Sequence, residues 1–145
     1  MRYQIEVIID LPRDRVIELF DNPDNMPKWQ PTLTNFEHLE GEAGQAGAKS
    51  RLTYKLGNRN MEMIETIIER NLPEKFSGTY ETDSALNINH NTFHVISDNQ
   101  TKWVTDTEFE FRSLSMKLMG LVAPFLFKNQ TRKFMNDFKT FAENA

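Results

Sequence analysis

At 145 residues, 39% hydrophobic and 26% charged, the chain is long enough for one domain with a core and an internal cavity. A formal net charge of -4 argues against a nucleic-acid binder, and the lack of cysteine excludes disulfides and thiolate chemistry. The opening MRYQIEVIIDLP has no continuous apolar signal segment, and no apolar run approaches the ~20 residues that span a bilayer, so a cytoplasmic location is the default expectation.

Tyr3, Ile5, Val7 and Ile9 alternate with polar neighbours, which predicts a half-buried strand. Pro12 then opens a short helix where its missing N–H costs nothing. Val16, Ile17, Leu19 and Phe20 form its buried side, with Arg13, Asp14, Arg15 and Glu18 facing water. Asp21 to Pro31 contains three prolines and reads as a bend, with one further helical turn around Asp24–Trp29.

Thr34 to Glu40 begins a second strand. The glycine-rich Gly41–Gly47 joins it to the next as a hairpin connection, since no helix follows to present N–H groups to a phosphate. The third strand sets Ser50, Leu52, Tyr54 and Leu56 against Arg51, Thr53 and Lys55, and Gly57–Asn60 makes the turn. Met61 to Arg70 is apolar on both faces. Met61, Met63 and Ile67 share one face with Glu65, an unusual place for a carboxylate.

Lys75 to Thr82 follows, with Phe76, Gly78 and Tyr80 on a common face. In Leu86 to Ser97 two faces compete: Leu86, Ile88 and Ile96 with His90, Thr92 and His94, against Phe93 and Val95 with Asn87, Asn89 and Asn91. A bulge near Thr92 is the expected resolution, and which face points inward stays open. Lys102 to Arg112 sends Trp103, Thr105, Thr107, Phe109 and Phe111 inward. Finally, Phe127, Thr131, Phe134, Phe138 and Phe141 line one side of a long helix within Ser115–Glu143, which Gly120 and Pro124 should kink or interrupt near its start.

A strand, two short helices, six strands and a long helix make an α+β arrangement with the helices gathered on one face of an antiparallel sheet. The run IDLPRDRVIELFDNPDNMPKWQPTL carries a strand through a proline into a helix, followed by Pro27 and Trp29. With the Gly41–Gly47 hairpin, the Asn71-Leu72-Pro73 turn and the closing helix, it resembles the START-related helix-grip (SRPBCC) superfamily of polyketide cyclase/dehydrase-like and lipid-transport-like proteins. The resemblance covers residues 1–145 as a single helix-grip domain. It implies a curved antiparallel sheet wrapped around a long C-terminal helix, with a cavity between them. One departure is Asp98-Asn99-Gln100-Thr101, where the superfamily usually has glycines before a threonine; Asp and Asn are expected to keep that turn.

The resemblance further implies binding or transport of a small hydrophobic molecule, such as a lipid, a polyketide or an aromatic or isoprenoid-like ligand. Tyr54, Met63, Phe76, Tyr80, Trp103, Phe109, Phe134 and Phe138 are the lining candidates, and Glu65, Thr105 and Thr107 supply polar groups. Glu65 is the one candidate catalytic residue: if it points inward, burial would raise its pKa and suit it to general-base work in a cyclase- or dehydratase-like enzyme. Near the rim, beside an inward cation or on a turned-over strand it would have no such role. A protein-interaction module is a further alternative. His90 and His94 lie about 13 Å apart along one strand, too far to chelate one metal, so neither metal nor cofactor is expected. The apolar Met116–Phe127, flanked by Lys117, Lys128, Arg132 and Lys133, suits a cavity mouth or a partner subunit, with a membrane surface as a minor reading. Nothing in the sequence addresses the oligomeric state.

Overall fold

The computed structural model describes residues 1–145, and the elements follow in the expected order. Strand β1 (Arg2–Ile9) leads through Pro12 into α1 (Arg13–Phe20). A 3-10 turn (Pro23–Asn25) then runs into α2 (Met26–Trp29). Six strands follow: β2 (Leu33–Glu40), β3 (Lys49–Leu56), β4 (Arg59–Asn71), β5 (Lys75–Glu81), β6 (Ala85–Ser97) and β7 (Gln100–Phe111). Two helices close the chain, α3 (Leu114–Val122) and α4 (Pro124–Glu143). The strands form one antiparallel sheet in the order β1-β7-β6-β5-β4-β3-β2. Strands β2 to β7 are a run of hairpins, whereas β1 closes against β7 with Ile5 opposite Thr105 and Ile9 opposite Thr101. This curved sheet around a long C-terminal helix is the helix-grip fold, and no helix is long and apolar enough to cross a membrane.

Alternation along β1 buries Tyr3, Ile5 and Ile9 under α4, whose own buried residues are Met135, Phe138 and Ala142. Polar ties fix the register of helix on strand. The Tyr3 hydroxyl donates to the Phe127 carbonyl at 3.0 Å and lies 2.6 Å from the Thr131 hydroxyl, which explains a threonine in a stripe of rings. At the other end, Lys139 donates to the Ile8 carbonyl at 2.7 Å, and the Asp10 amide donates to Glu143 at 2.7 Å. The end of α1 is held to β4 by Arg70, whose two guanidinium nitrogens each bond an Asp21 oxygen at 2.6 Å.

The core lies where α1, α2 and α4 meet β1, β6 and β7. At its centre Phe20 meets Phe76, Phe93, Trp103 and Phe138 edge-on, at centroid distances of 5.8, 5.1, 5.7 and 5.8 Å. Side chains of this size contribute ~1.5–3 kcal/mol each on full burial, and edge-to-face pairing adds to that.

Three sequence expectations need correction. First, no bulge lies near Thr92: β6 pairs with β7 without interruption from Ala85 opposite Phe111 to Val95 opposite Thr101, and the register shifts only between Val95 and Ser97. The conflict between faces is settled by partners instead. Phe93 is buried beside Trp103, and the asparagines that share its face find hydrogen bonds on β7. Second, the Asp98-Asn99 turn is kept, but no non-glycine residue has positive φ, so it does not draw on their tolerance for left-handed backbone. Third, Arg13 does not simply face water: it donates to the Phe93 carbonyl at 3.4 Å, and its Nε is enclosed. The interruption expected near Pro124 is present: the closing segment is two helices separated at Ala123, with Pro124 in the first turn of α4, where its missing N–H is harmless.

Candidate functional site

The inner face of the sheet changes character from one side to the other. Near β1 and β7 it is covered by the rings of α4: Phe127 meets Phe109 and Phe111, while Phe134 and Phe138 meet Trp103. Helix α4 packs chiefly on β1, α2 and α3, so the inner faces of β3, β4 and β5 are not its main support. There Tyr54, Met61, Met63 and Tyr80 stay half-buried.

Register brings the polar groups together on this side. Glu65 of β4 stands between Ser50 of β3 and Tyr80 of β5, and Tyr80 in turn stands opposite Asn87 of β6. Glu65 is only 9% exposed and forms no ion pair. Burial pushes its carboxyl above the ordinary range, and the neighbouring Tyr80 phenol partly offsets the rise. The Tyr80 phenol is held well above its usual value, first by burial and then by the neighbouring Glu65 charge. Tyr54 is raised for the same two reasons, which places its phenol within electrostatic reach of the carboxylate. It donates to Gln30 Oε1 at 2.7 Å, so the buried end of α2 fixes its ring. Gly78 makes room for this cluster, because a Cβ there would press on the Thr66 carbonyl and the Tyr80 hydroxyl.

Next to the cluster runs an amide row. Asn87 donates to the Thr107 hydroxyl at 2.7 Å and to the Glu108 carbonyl at 3.0 Å, and Thr107 donates onward to Asn89. The Trp103 indole donates to Asn91 Oδ1 at 2.9 Å. The amide N–H groups of Asn89 and Asn91 and the Thr105 hydroxyl have no protein partner, yet none of them is fully sealed off. An opening of about 390 Å³ lies between the β3–β4 and β5–β6 turns, bounded by Leu56, Arg59, Thr82 and Asp83, and it reaches Met61 on the Glu65 face.

Tyr54, Met63, Glu65 and Tyr80 therefore gather on one part of the inner face, with Thr105 and Thr107 across the asparagine row. Trp103 and Phe138 belong to the core behind it. Phe76 packs edge-on against Phe20, and Phe109 stacks with Tyr3 and Phe111. Phe134 is 37% exposed, yet it meets Trp29 at 4.7 Å, so it lies at the edge of the core with one side open. Sequence reasoning singled out neither Gln30 nor the asparagine row as site residues. The row has a signal, period two on the face of Phe93, but only the pairing with Trp103 says that this face is the inner one. His90 and His94 both point outward, His90 to the Ser77 hydroxyl at 3.0 Å.

Solved structures with this fold include Ara h 8.0201, at 11% identity and a TM-score of 0.77, covering 100% of this chain and 99% of that one. The Zhui aromatase/cyclase from Streptomyces sp. R1128 superposes with a TM-score of 0.77 at 16% identity, over 99% and 93% of the two chains. Norcoclaurine synthase from Thalictrum flavum, in complex with dopamine and hydroxybenzaldehyde, gives 0.72 at 11% identity, over 97% and 85%. At such identities these likenesses speak for the fold alone, and no curated protein matches the sequence. The family described as polyketide cyclase / dehydrase and lipid transport matches residues 1–143, essentially the whole length. On that match, the chain belongs to the polyketide cyclase / dehydrase and lipid transport family.

Proposed function

We propose that the protein binds a small, mostly apolar molecule bearing oxygen or nitrogen functions, between the inner face of β3–β6 and α4. The observation that carries this reading is Glu65, a desolvated carboxylate without a cation, on the same inner face of the sheet as unpartnered amide donors. Met63, Tyr54, Phe134 and Trp29 offer the apolar contact, while Glu65, Tyr80, Asn89 and Asn91 would orient the polar end. A fold neighbour that holds two small aromatic molecules supports the ligand size. Native mass spectrometry of gently purified protein tests the proposal, and a retained small molecule lost on Glu65→Gln or Tyr80→Phe is the expected result. A protein that keeps nothing, and binds an apolar dye equally well with and without those changes, would count against it.

A second reading is favoured by the Glu65–Tyr80 pair. A bare carrier needs no convergent ionisable groups, whereas here a buried carboxylate and a phenol stand opposite each other on adjacent strands, both raised by burial. In a cyclase- or dehydratase-type step, Glu65 would take a proton from an activated carbon or hydroxyl, and Tyr80 would donate to the carbonyl oxygen where charge develops. Turnover of a keto substrate that is abolished by Glu65→Gln, with binding retained, would separate this reading from simple binding.

A further inference from the structure

Helix α3 is built backwards for a globular protein. None of its nine residues is buried. It is tacked to the end of the sheet by its small side: Gly120 lies against the Phe111 ring so closely that a Cβ would strike it, and Met116 and Ala123 flank that contact. Ser113 caps it by accepting from the Met116 amide at 3.2 Å. On the opposite side, Leu114, Leu118, Leu121 and Val122 point to solvent, with exposures of 84, 57, 80 and 67%. Phe125 and Leu126 extend the patch across the break into α4. Water-facing leucines on a capped helix contribute nothing to the fold, and a contiguous apolar patch of this kind marks a contact surface.

Charge tells which surface. From Phe111 to Asn136 there are five basic residues (Arg112, Lys117, Lys128, Arg132 and Lys133) and no acidic one. Against a net charge of -4, the remainder of the chain therefore carries -9. Arg112 pairs with Glu81 and Lys133 with Asp137, which leaves Lys117, Lys128 and Arg132 without a carboxylate beside the patch. A second copy of so acidic a protein would bring its own basic segment against this one in a symmetric dimer, and the like charges would repel. An anionic lipid surface satisfies both features, taking the leucines among its acyl chains and the cations at its headgroups.

We propose that α3 and the first turn of α4 form a docking surface for anionic membranes. This rests on the exposed patch and its charge, not on the site around Glu65. The test is sedimentation of the full-length protein with vesicles of phosphatidylcholine alone, or with about 30 mol % phosphatidylglycerol, at low and high salt. Binding should be about tenfold tighter to the anionic vesicles and fall with salt. Leu121→Asp should weaken it by about tenfold, and Lys117→Glu together with Lys128→Glu should do the same, with melting temperatures unchanged because these side chains are exposed. Two results would overturn the proposal. One is no binding to anionic vesicles at low salt; the other is a concentration-dependent dimer that Leu121→Asp dissolves, which would assign the patch to a second copy.

Discussion

Glu65 and Tyr80 stand directly opposite each other on β4 and β5, with their side chains on the inner face of the sheet and the phenol beside the carboxylate. Burial nevertheless leaves the carboxyl above its ordinary pKa. The folded protein therefore keeps this proton to higher pH than the unfolded chain does. The stabilising contribution is complete below the ordinary carboxylate range and is lost as pH rises through the raised pKa of Glu65. Glu65→Gln removes that titration while keeping the size and shape of the side chain. Urea titrations from about pH 4 upward should show the wild type losing stability relative to the variant, which becomes the more stable protein at neutral pH. Parallel curves at every pH would show that Glu65 is not desolvated.

Phe138 and Phe134 lie one helical turn apart on α4 but in different surroundings. Phe138 is fully buried among Phe20, Trp29 and Trp103, and its replacement by alanine should cost about 3–5 kcal/mol in denaturant titration. Phe134, open on one side, should cost no more than about 2 kcal/mol, because less apolar surface returns to water. Equal costs would mean that Phe134 is as enclosed as Phe138.

Asn91 accepts from the Trp103 indole in a buried setting. Asn91→Ala leaves that N–H without a partner and should destabilise by about 1–3 kcal/mol. Adding Trp103→Phe to Asn91→Ala should cost less than Trp103→Phe alone, since the orphaned donor disappears with the ring. A double-mutant cycle in denaturant measures the difference.

Gly120 offers a test in which two effects have opposite signs. In an open helix interior, glycine to alanine gains about 0.8–1.0 kcal/mol of helix propensity. Here the new Cβ would meet the Phe111 ring, so thermal melts of Gly120→Ala should show no gain, and hydrogen exchange over residues 114–122 should quicken. A clear rise in melting temperature would show that the ring simply moves aside.

The fold was legible because most of its elements announce themselves locally. The alternation of Tyr3, Ile5, Val7 and Ile9 and the spacing of Phe127, Phe134, Phe138 and Phe141 each point to one secondary structure and one buried side. Glu65 was legible for the same reason, as a charge on an apolar face. β6 was not, since Ile88 and Phe93 make equal claims from opposite faces. Their ranking is decided by the ring of Trp103 on the next strand, and local pattern cannot report that. Gln30 was missed for a similar reason: it acts on Tyr54 across a gap of 24 residues, through a single hydrogen bond. Arg13 looked solvated because its neighbours on the helix are, whereas its contact comes from Phe93, a distant part of the chain.

The strand order has a consequence for how the molecule is made. Each strand from β2 to β6 pairs with the next one synthesised, so those hairpins can form as the chain lengthens. β1 is made first but pairs only with β7, where Arg2 meets Glu108. Until β7 has been translated, β1 waits as an unpaired apolar strand, a template for any other edge it encounters. Helix α4, which covers β1, arrives later still. The seam between the first strand of the fold and its last elements thus closes late, and during synthesis this domain is most exposed to misassembly there.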